Sequence, residues 1–153
     1  MADSLPRRVW RDAAVIFRLK PGVWLDLLRA AAELALARYR LGTRAPKDLL
    51  RQSPPQSLPD QPPHDATALP ARVAFAIPRV AARVPWRSDC FVQALAAQRW
   101  LQRKNIPSAL MIGTRKDAGG AFEAHAWLTC NDRIITGGDI SGYVPLVTPA
   151  TKL

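Results

Sequence analysis

Residues 121–138 read AFEAHAWLTCNDRIITGG, and their spacing decides the class of fold. From Ala121 to Cys130 the side chains alternate. Phe122, Ala124, Ala126 and Leu128 fall on one side, and Glu123, His125, Trp127 and Thr129 on the other. A two-residue period is that of a half-buried strand. Asn131-Asp132 then suits a two-residue hairpin turn, because both residues tolerate the left-handed backbone that such a turn requires. Arg133 to Thr136 returns as a second strand, which Gly137-Gly138 ends. Upstream, Ser108 to Thr114 (SALMIGT) reads as another strand, and Lys116 to Gly120 (KDAGG) as the turn that joins it. The pattern predicts an antiparallel meander.

Before the meander the period changes. Cys90 to Lys104 predicts a helix that Ser88 or Asp89 caps, that Arg103 and Lys104 close, and that Asn105 and Pro107 stop. Its apolar residues cover more than one face, so it belongs deep in the core. Ala71 to Val84 predicts a helix interrupted at Pro78. Val23 to Leu41 predicts a third, stopped at Gly42, with a stripe of Leu27, Leu28, Ala31, Leu34, Ala35 and the Arg38 stem. Such a stripe usually packs in a core; a membrane-surface or partner-docking helix is the other use. Arg8 to Leu19 reads as a shorter helical or extended piece. Helices followed by an antiparallel meander give an α+β class.

Nine of the fourteen prolines lie between Pro46 and Pro85, and five of these fall in residues 52–63 (QSPPQSLPDQPP). Proline fixes its own backbone and biases its predecessor away from helix, so this tract reads as a linker or surface strap. The organisation expected is a helical segment over 1–45, the proline-rich strap over 46–70 and the main core over 71–153.

The chain of 153 residues carries 22 Lys and Arg against 12 Asp and Glu, a formal charge of +10. That excess suits nucleic acid, an anionic surface or an acidic peptide. It is spread over both halves, which argues against a dedicated nucleic-acid tail. Hydrophobic residues make up 48%, enough for a core. Two cysteines, Cys90 and Cys130, are too few for a disulfide framework and lack zinc-site spacing, so a reducing, cytoplasmic setting is expected. The most apolar stretch, Trp24 to Leu41, is interrupted by five charges, so neither membrane insertion nor a cleaved signal is expected.

Chemistry concentrates on three residues. Cys90 begins a helix, where unpaired N–H groups and the helix dipole favour a thiolate; a small buried apolar residue is the other use of such a cysteine. His125 lies on a strand, and imidazole exchanges a proton near neutral pH, so it suits the base that takes the thiol proton. A structural strand histidine is the alternative. His64, the only other histidine, lies in the proline tract. Asp139 follows the hairpin return and is the carboxylate expected to orient the imidazole, whereas Asp132 belongs at the hairpin tip. Trp127 shares the face of His125, as site wall or core aromatic. Trp86 precedes the Cys90 loop, Trp100 reads as packing and Cys130 as an inert buried thiol.

The order of Cys90 on a helix, the segment Ala124-His125-Ala126-Trp127 on a strand and Asp139 after two glycines resembles the transglutaminase-like superfamily of papain-type thiol enzymes. Within it the sequence is most similar to the leader peptidases of lasso-peptide biosynthesis. The resemblance covers about residues 70–145 and, more loosely, the helix at 24–41. It implies a transglutaminase-like or papain-like core in which the catalytic helix packs on an antiparallel sheet, preceded by N-terminal helices. It also implies a peptidase that cuts a ribosomal precursor between leader and core, through an acyl-enzyme on Cys90, with His125 as base and Asp139 behind it. The backbone N–H of Cys90 would help to hold the oxyanion. No cofactor or metal is implied. The partners implied are the precursor peptide, a separate leader-recognition protein, because no β-hairpin pattern precedes the proline tract, and a macrolactam-forming lasso cyclase. Nucleic acid is not among them. Two readings compete: another thiol amidase, deglycosylase or true transglutaminase on the same fold, and a non-enzymatic basic binding module.

Overall fold

The computed structural model describes residues 20–44, 68–117 and 119–148. The expectations for Arg8 to Leu19, for His64 and for most of the proline tract fall outside them. Helix α1 spans Pro21–Thr43 and opens with proline at its first position, where the missing N–H costs nothing. It runs a residue past Gly42. Its buried face is Asp26, Ala30, Glu33, Leu34 and Ala37. That face is turned from the expected stripe, for Leu28 is 64% exposed and Ala35 is also exposed. The cause is two acidic side chains that enter the interior as ion pairs. Arg72 grips Asp26 with two bonds of 2.8 and 2.6 Å, and Arg99 meets Glu33 at 2.9 Å. Breaking a buried pair from one side typically costs about 3–5 kcal/mol.

Helix α2 spans Ala68–Ala81 and is not interrupted at Pro78, which corrects the sequence expectation. Pro78 stands in the last turns, so it removes one intrahelical bond, the one to the Ala74 carbonyl. Burial of Val73, Ala76 and Ile77 on both sides of it holds the helix together. The helix begins inside the stretch read as strap, with Pro70 in its first turn. Helix α3 spans Cys90–Gln102. Asp89 caps it by accepting a bond from the Val92 N–H at 3.1 Å, and the chain leaves through Asn105 with a left-handed φ of 53°. Among the described residues no helix is long and apolar enough to cross a membrane.

Four strands follow: β1 Ala109–Lys116, β2 Phe122–Cys130, β3 Arg133–Thr136 and β4 Val144–Val147. They form one sheet in the order β3-β2-β1-β4, every neighbour antiparallel. The expected meander supplies the first three. Asn131 and Asp132 both take positive φ (48° and 58°), as the two-residue turn requires, and Asp132 stands at the tip. The pattern did not predict β4, a short strand containing Pro145. It occupies a sheet edge, where a residue without an N–H is tolerated.

The alternation along β2 sorts the two faces. Leu128 and Cys130 join Leu34, Val73, Ile77, Val92 and Leu101 in one core between the helices and the sheet. All three helices contribute to that core. The architecture is α+β, with the Cys90 helix packed on an antiparallel sheet and helices α1 and α2 before it, as the sequence implies.

Candidate active site

Cys90 is the first residue of α3 and is half-buried. Its own N–H therefore has no acceptor within the helix. The Asp89 cap takes the Val92 N–H, and Gln93 Nε2 donates to the Ser88 carbonyl at 2.8 Å, which pins the loop that delivers the thiol. A cleft of about 450 Å³ opens beside the thiol. Cys90 and Gln93 of α3, the run Ile134–Gly138, and Ala74 and Pro78 of α2 line it.

His125 lies on β2 opposite Gly113, on the face shared with Trp127. Its Nε2 is 2.7 Å from the carbonyl oxygen of Gly137. A carbonyl only accepts, so Nε2 carries the proton and Nδ1 is left with its lone pair. Gly137 also lines the Cys90 cleft, so the thiol and the imidazole flank the same residue. Only glycine suits that position. Its φ is +110°, and a Cβ there would overlap the Cβ of Trp127. Trp127 is 2% exposed, and its ring lies 6.2 Å from that of His125 at an interplanar angle of 24°. It is thus both a buried aromatic and a wall behind the imidazole.

Asp139 lies two residues beyond Gly137, at the surface. Its Oδ1 accepts a 2.9 Å bond from the Ser141 N–H. Hydrogen bonds from Ser141 hold this carboxyl below the usual carboxylate range, and the Arg115 charge adds to them. The expected hydrogen bond from His125 to Asp139 is therefore replaced: the far nitrogen is held by the Gly137 carbonyl, and Asp139 turns to its own loop. The physical reason is the left-handed pair Gly137-Gly138, which brings a main-chain carbonyl to the ring ahead of the carboxylate.

Tyr143 completes the surroundings. Its ring centroid is 5.0 Å from that of His125, and the Arg115 guanidinium lies 4.5 Å from its centroid. Arg115 also grips Glu123 at 2.9 Å, and the Tyr143 hydroxyl helps to hold the Glu123 carboxyl below its usual range. Desolvation first, then the bond to Glu123, push the Tyr143 phenol above its ordinary range, and the nearby Cys90 side chain adds to the shift. Tyr143 thus stands beside the imidazole. The sequence reading missed it because it follows the loop after the meander; its only signal was an aromatic beyond the two glycines. Cys130 is 3% exposed and burial pushes its thiol up, as expected of an inert cysteine. Trp100 is buried packing, 1% exposed, with the Arg29 guanidinium 5.2 Å from its ring.

The sequence profile of the Transglutaminase-like superfamily matches residues 27–148. The chain belongs to this superfamily. The match begins inside α1, so the superfamily domain takes in the first helix as well as the Cys90 helix and the sheet. No curated protein and no solved structure matches the chain. Membership carries the general thiol-amidase and cysteine-protease chemistry of the superfamily, and the cleft beside Cys90 is where that chemistry is to be sought.

Proposed function

We propose that the chain is a cysteine peptidase that removes the leader from a ribosomally made lasso-peptide precursor. The observation that carries the peptidase part is the arrangement around Gly137. Gly137 lines the same cleft as the helix-start thiol, and its carbonyl occupies Nε2 of the His125 imidazole.

Cys90 gives up its proton to Nδ1 of His125, and its sulfur attacks the scissile carbonyl carbon. The Cys90 N–H donates to the developing oxyanion. The same proton passes from Nδ1 to the leaving amine as the C–N bond breaks, leaving a thioester on Cys90 and a free N-terminus on the core peptide. Water, deprotonated by His125, hydrolyses the thioester. Asp139 stays ionised in its own loop, held by Ser141, while the Gly137 carbonyl orients the ring. The freed amine is the group that a separate cyclase joins into a macrolactam.

Helix α1 packs into the core, and recognition of the leader is assigned to a separate protein. The basic surface suits an acidic leader segment. The test is incubation with a leader–core precursor encoded beside this gene and a recognition protein from the same neighbourhood, read by mass spectrometry. Two fragments that sum to the precursor plus one water support the reading. A cross-linked product, formed with loss of ammonia, would point instead to transglutamination.

A further inference from the structure

The side of α1 that faces away from the core is apolar. Along it Leu25, Leu28, Ala32, Ala35 and Tyr39 recur three and four residues apart, and all five are exposed. Leu25, Leu28 and Tyr39 are 67%, 64% and 68% exposed. At 3.6 residues per turn the five form one row, opposite the buried face of Asp26, Ala30, Glu33, Leu34 and Ala37. The row is about 21 Å long at the helical rise. Three-and-four spacing is the seam on which one helix receives another.

Charge decides what kind of helix fits. Asp26 and Glu33 are the only acids of α1, and both are turned inward, paired with Arg72 and Arg99. Glu33 is shared among Arg29, Arg99 and Arg103, so the surplus around it is cationic. The row is therefore flanked by positive charge, with Arg38 along one edge and Arg29 and Arg40 along the other. Arg40 also feels the charges of Arg99 and Arg44. Two copies of this row would set arginine against arginine, which opposes self-pairing. Residues 1–19 are net basic as well, with four Arg against two Asp.

An anionic bilayer would satisfy the same charge, and the shape of the row argues against it. The row is low in the middle, where Ala32 and Ala35 stand between Leu28 and Tyr39. The side chains of another helix seat in such a saddle. A helix that inserts among lipid headgroups carries bulky apolar groups along that face.

We infer that the outer row of α1 is a docking site for a helix of a partner protein, apolar along one face and acidic along its edges. Helix α1 lends no residue to the lining of the Cys90 cleft, so the docked helix does not compete with substrate there.

The test uses a fluorescein-labelled helical peptide of about three heptads, with leucine along one row and glutamate on both flanks. It is titrated with the full chain and read by anisotropy. Saturable binding is expected. A peptide of the same composition with its leucines displaced from the row should bind about tenfold more weakly, as should one with lysine in place of glutamate. Leu25→Gln/Leu28→Gln should also weaken binding by about tenfold. Arg38→Glu should narrow the gap between the glutamate and lysine peptides. These side chains are exposed, so the melting temperature is expected to stay at the wild-type value. If the double variant fails to fold, Ala32→Glu, also at an exposed position, makes the same comparison. Absence of saturation, equal binding of the displaced-leucine peptide, or unaltered binding by the variants overturns the inference. Sedimentation of wild type with phosphatidylserine vesicles that the double variant loses also overturns it, and makes the row a lipid face. A wild-type dimer in analytical ultracentrifugation that the double variant loses overturns it in favour of a second copy.

Discussion

The Gly137 carbonyl oxygen accepts a hydrogen bond from His125 Nε2 at 2.7 Å. This one bond fixes the tautomer, leaves Nδ1 as the basic nitrogen and ties the imidazole to a residue that also lines the Cys90 cleft. In this site a main-chain carbonyl orients the ring, the part more often given to a carboxylate.

The bond depends on the backbone of Gly137. Gly137→Ala places a methyl group against Trp127 at a φ that side chains avoid. The expected result is a loss of about 1–3 kcal/mol in stability from backbone strain, measured by urea unfolding. A fall in kcat larger than the rise in KM should accompany it. Stability and turnover equal to wild type would show that the carbonyl can be presented without glycine.

The same bond sets the ranking of the two other site residues. His125→Ala removes the base and should lower kcat/KM by about 10²–10⁴, the usual worth of general acid–base catalysis. Asp139→Asn leaves the Gly137 bond in place and removes only a charge, so its loss is expected to stay below about tenfold, a little over 1 kcal/mol. Steady-state kinetics on both variants checks this. A loss for Asp139→Asn as large as that for His125→Ala would return the orienting role to the carboxylate.

The two cysteines are expected to separate on alkylation. Burial pushes the Cys130 thiol up, and the residue is 3% exposed, whereas Cys90 opens onto the cleft. At pH 7.5, a limiting amount of iodoacetamide should add one carbamidomethyl group, on Cys90, with Cys130 reacting only after denaturation. Peptide mapping that finds Cys130 labelled first would contradict the assignment.

Glu123 supplies a pH test. The bond from Arg115 first, then that from Tyr143, holds its carboxyl below the ordinary glutamate range. A depressed folded value means that the tie stabilises the folded state above the unfolded-state value. That contribution is lost as pH falls through the lowered folded value. Carboxyl-carbon NMR of Glu123 should therefore give a midpoint below that of a free glutamate, and Arg115→Met should move it upward. An unmoved midpoint would show that Arg115 does not hold the carboxylate.

What was legible in the sequence followed from strict local rules. The period-two run of β2, the Asn131-Asp132 turn and the Asp89 cap each have a local cause and stand where expected. Cys90 and His125 were legible because a helix start and an alternating strand place them without reference to the rest of the chain. Features that depend on partners far along the sequence were not. Asp26 and Glu33 lie outside the predicted stripe, and Arg72 and Arg99 draw them inward from other helices, so the buried face of α1 is turned. Pro78 reads as a break because the burial that carries α2 through it is tertiary. Asp139 has the right spacing for the imidazole, but the left-handed glycine pair, whose conformation spacing does not reveal, delivers the Gly137 carbonyl first. Tyr143 reaches His125 only because the chain returns after that pair to form β4 beside β1.

The central claim is that Cys90 is the nucleophile of a peptide-cleaving enzyme. The most direct measurement compares wild type with Cys90→Ala in the cleavage of precursor peptide together with its recognition protein, under single-turnover conditions. The account predicts cleavage by wild type and none above background by Cys90→Ala, with both proteins showing the same melting temperature within a few degrees. Cleavage by Cys90→Ala at the wild-type rate would contradict it.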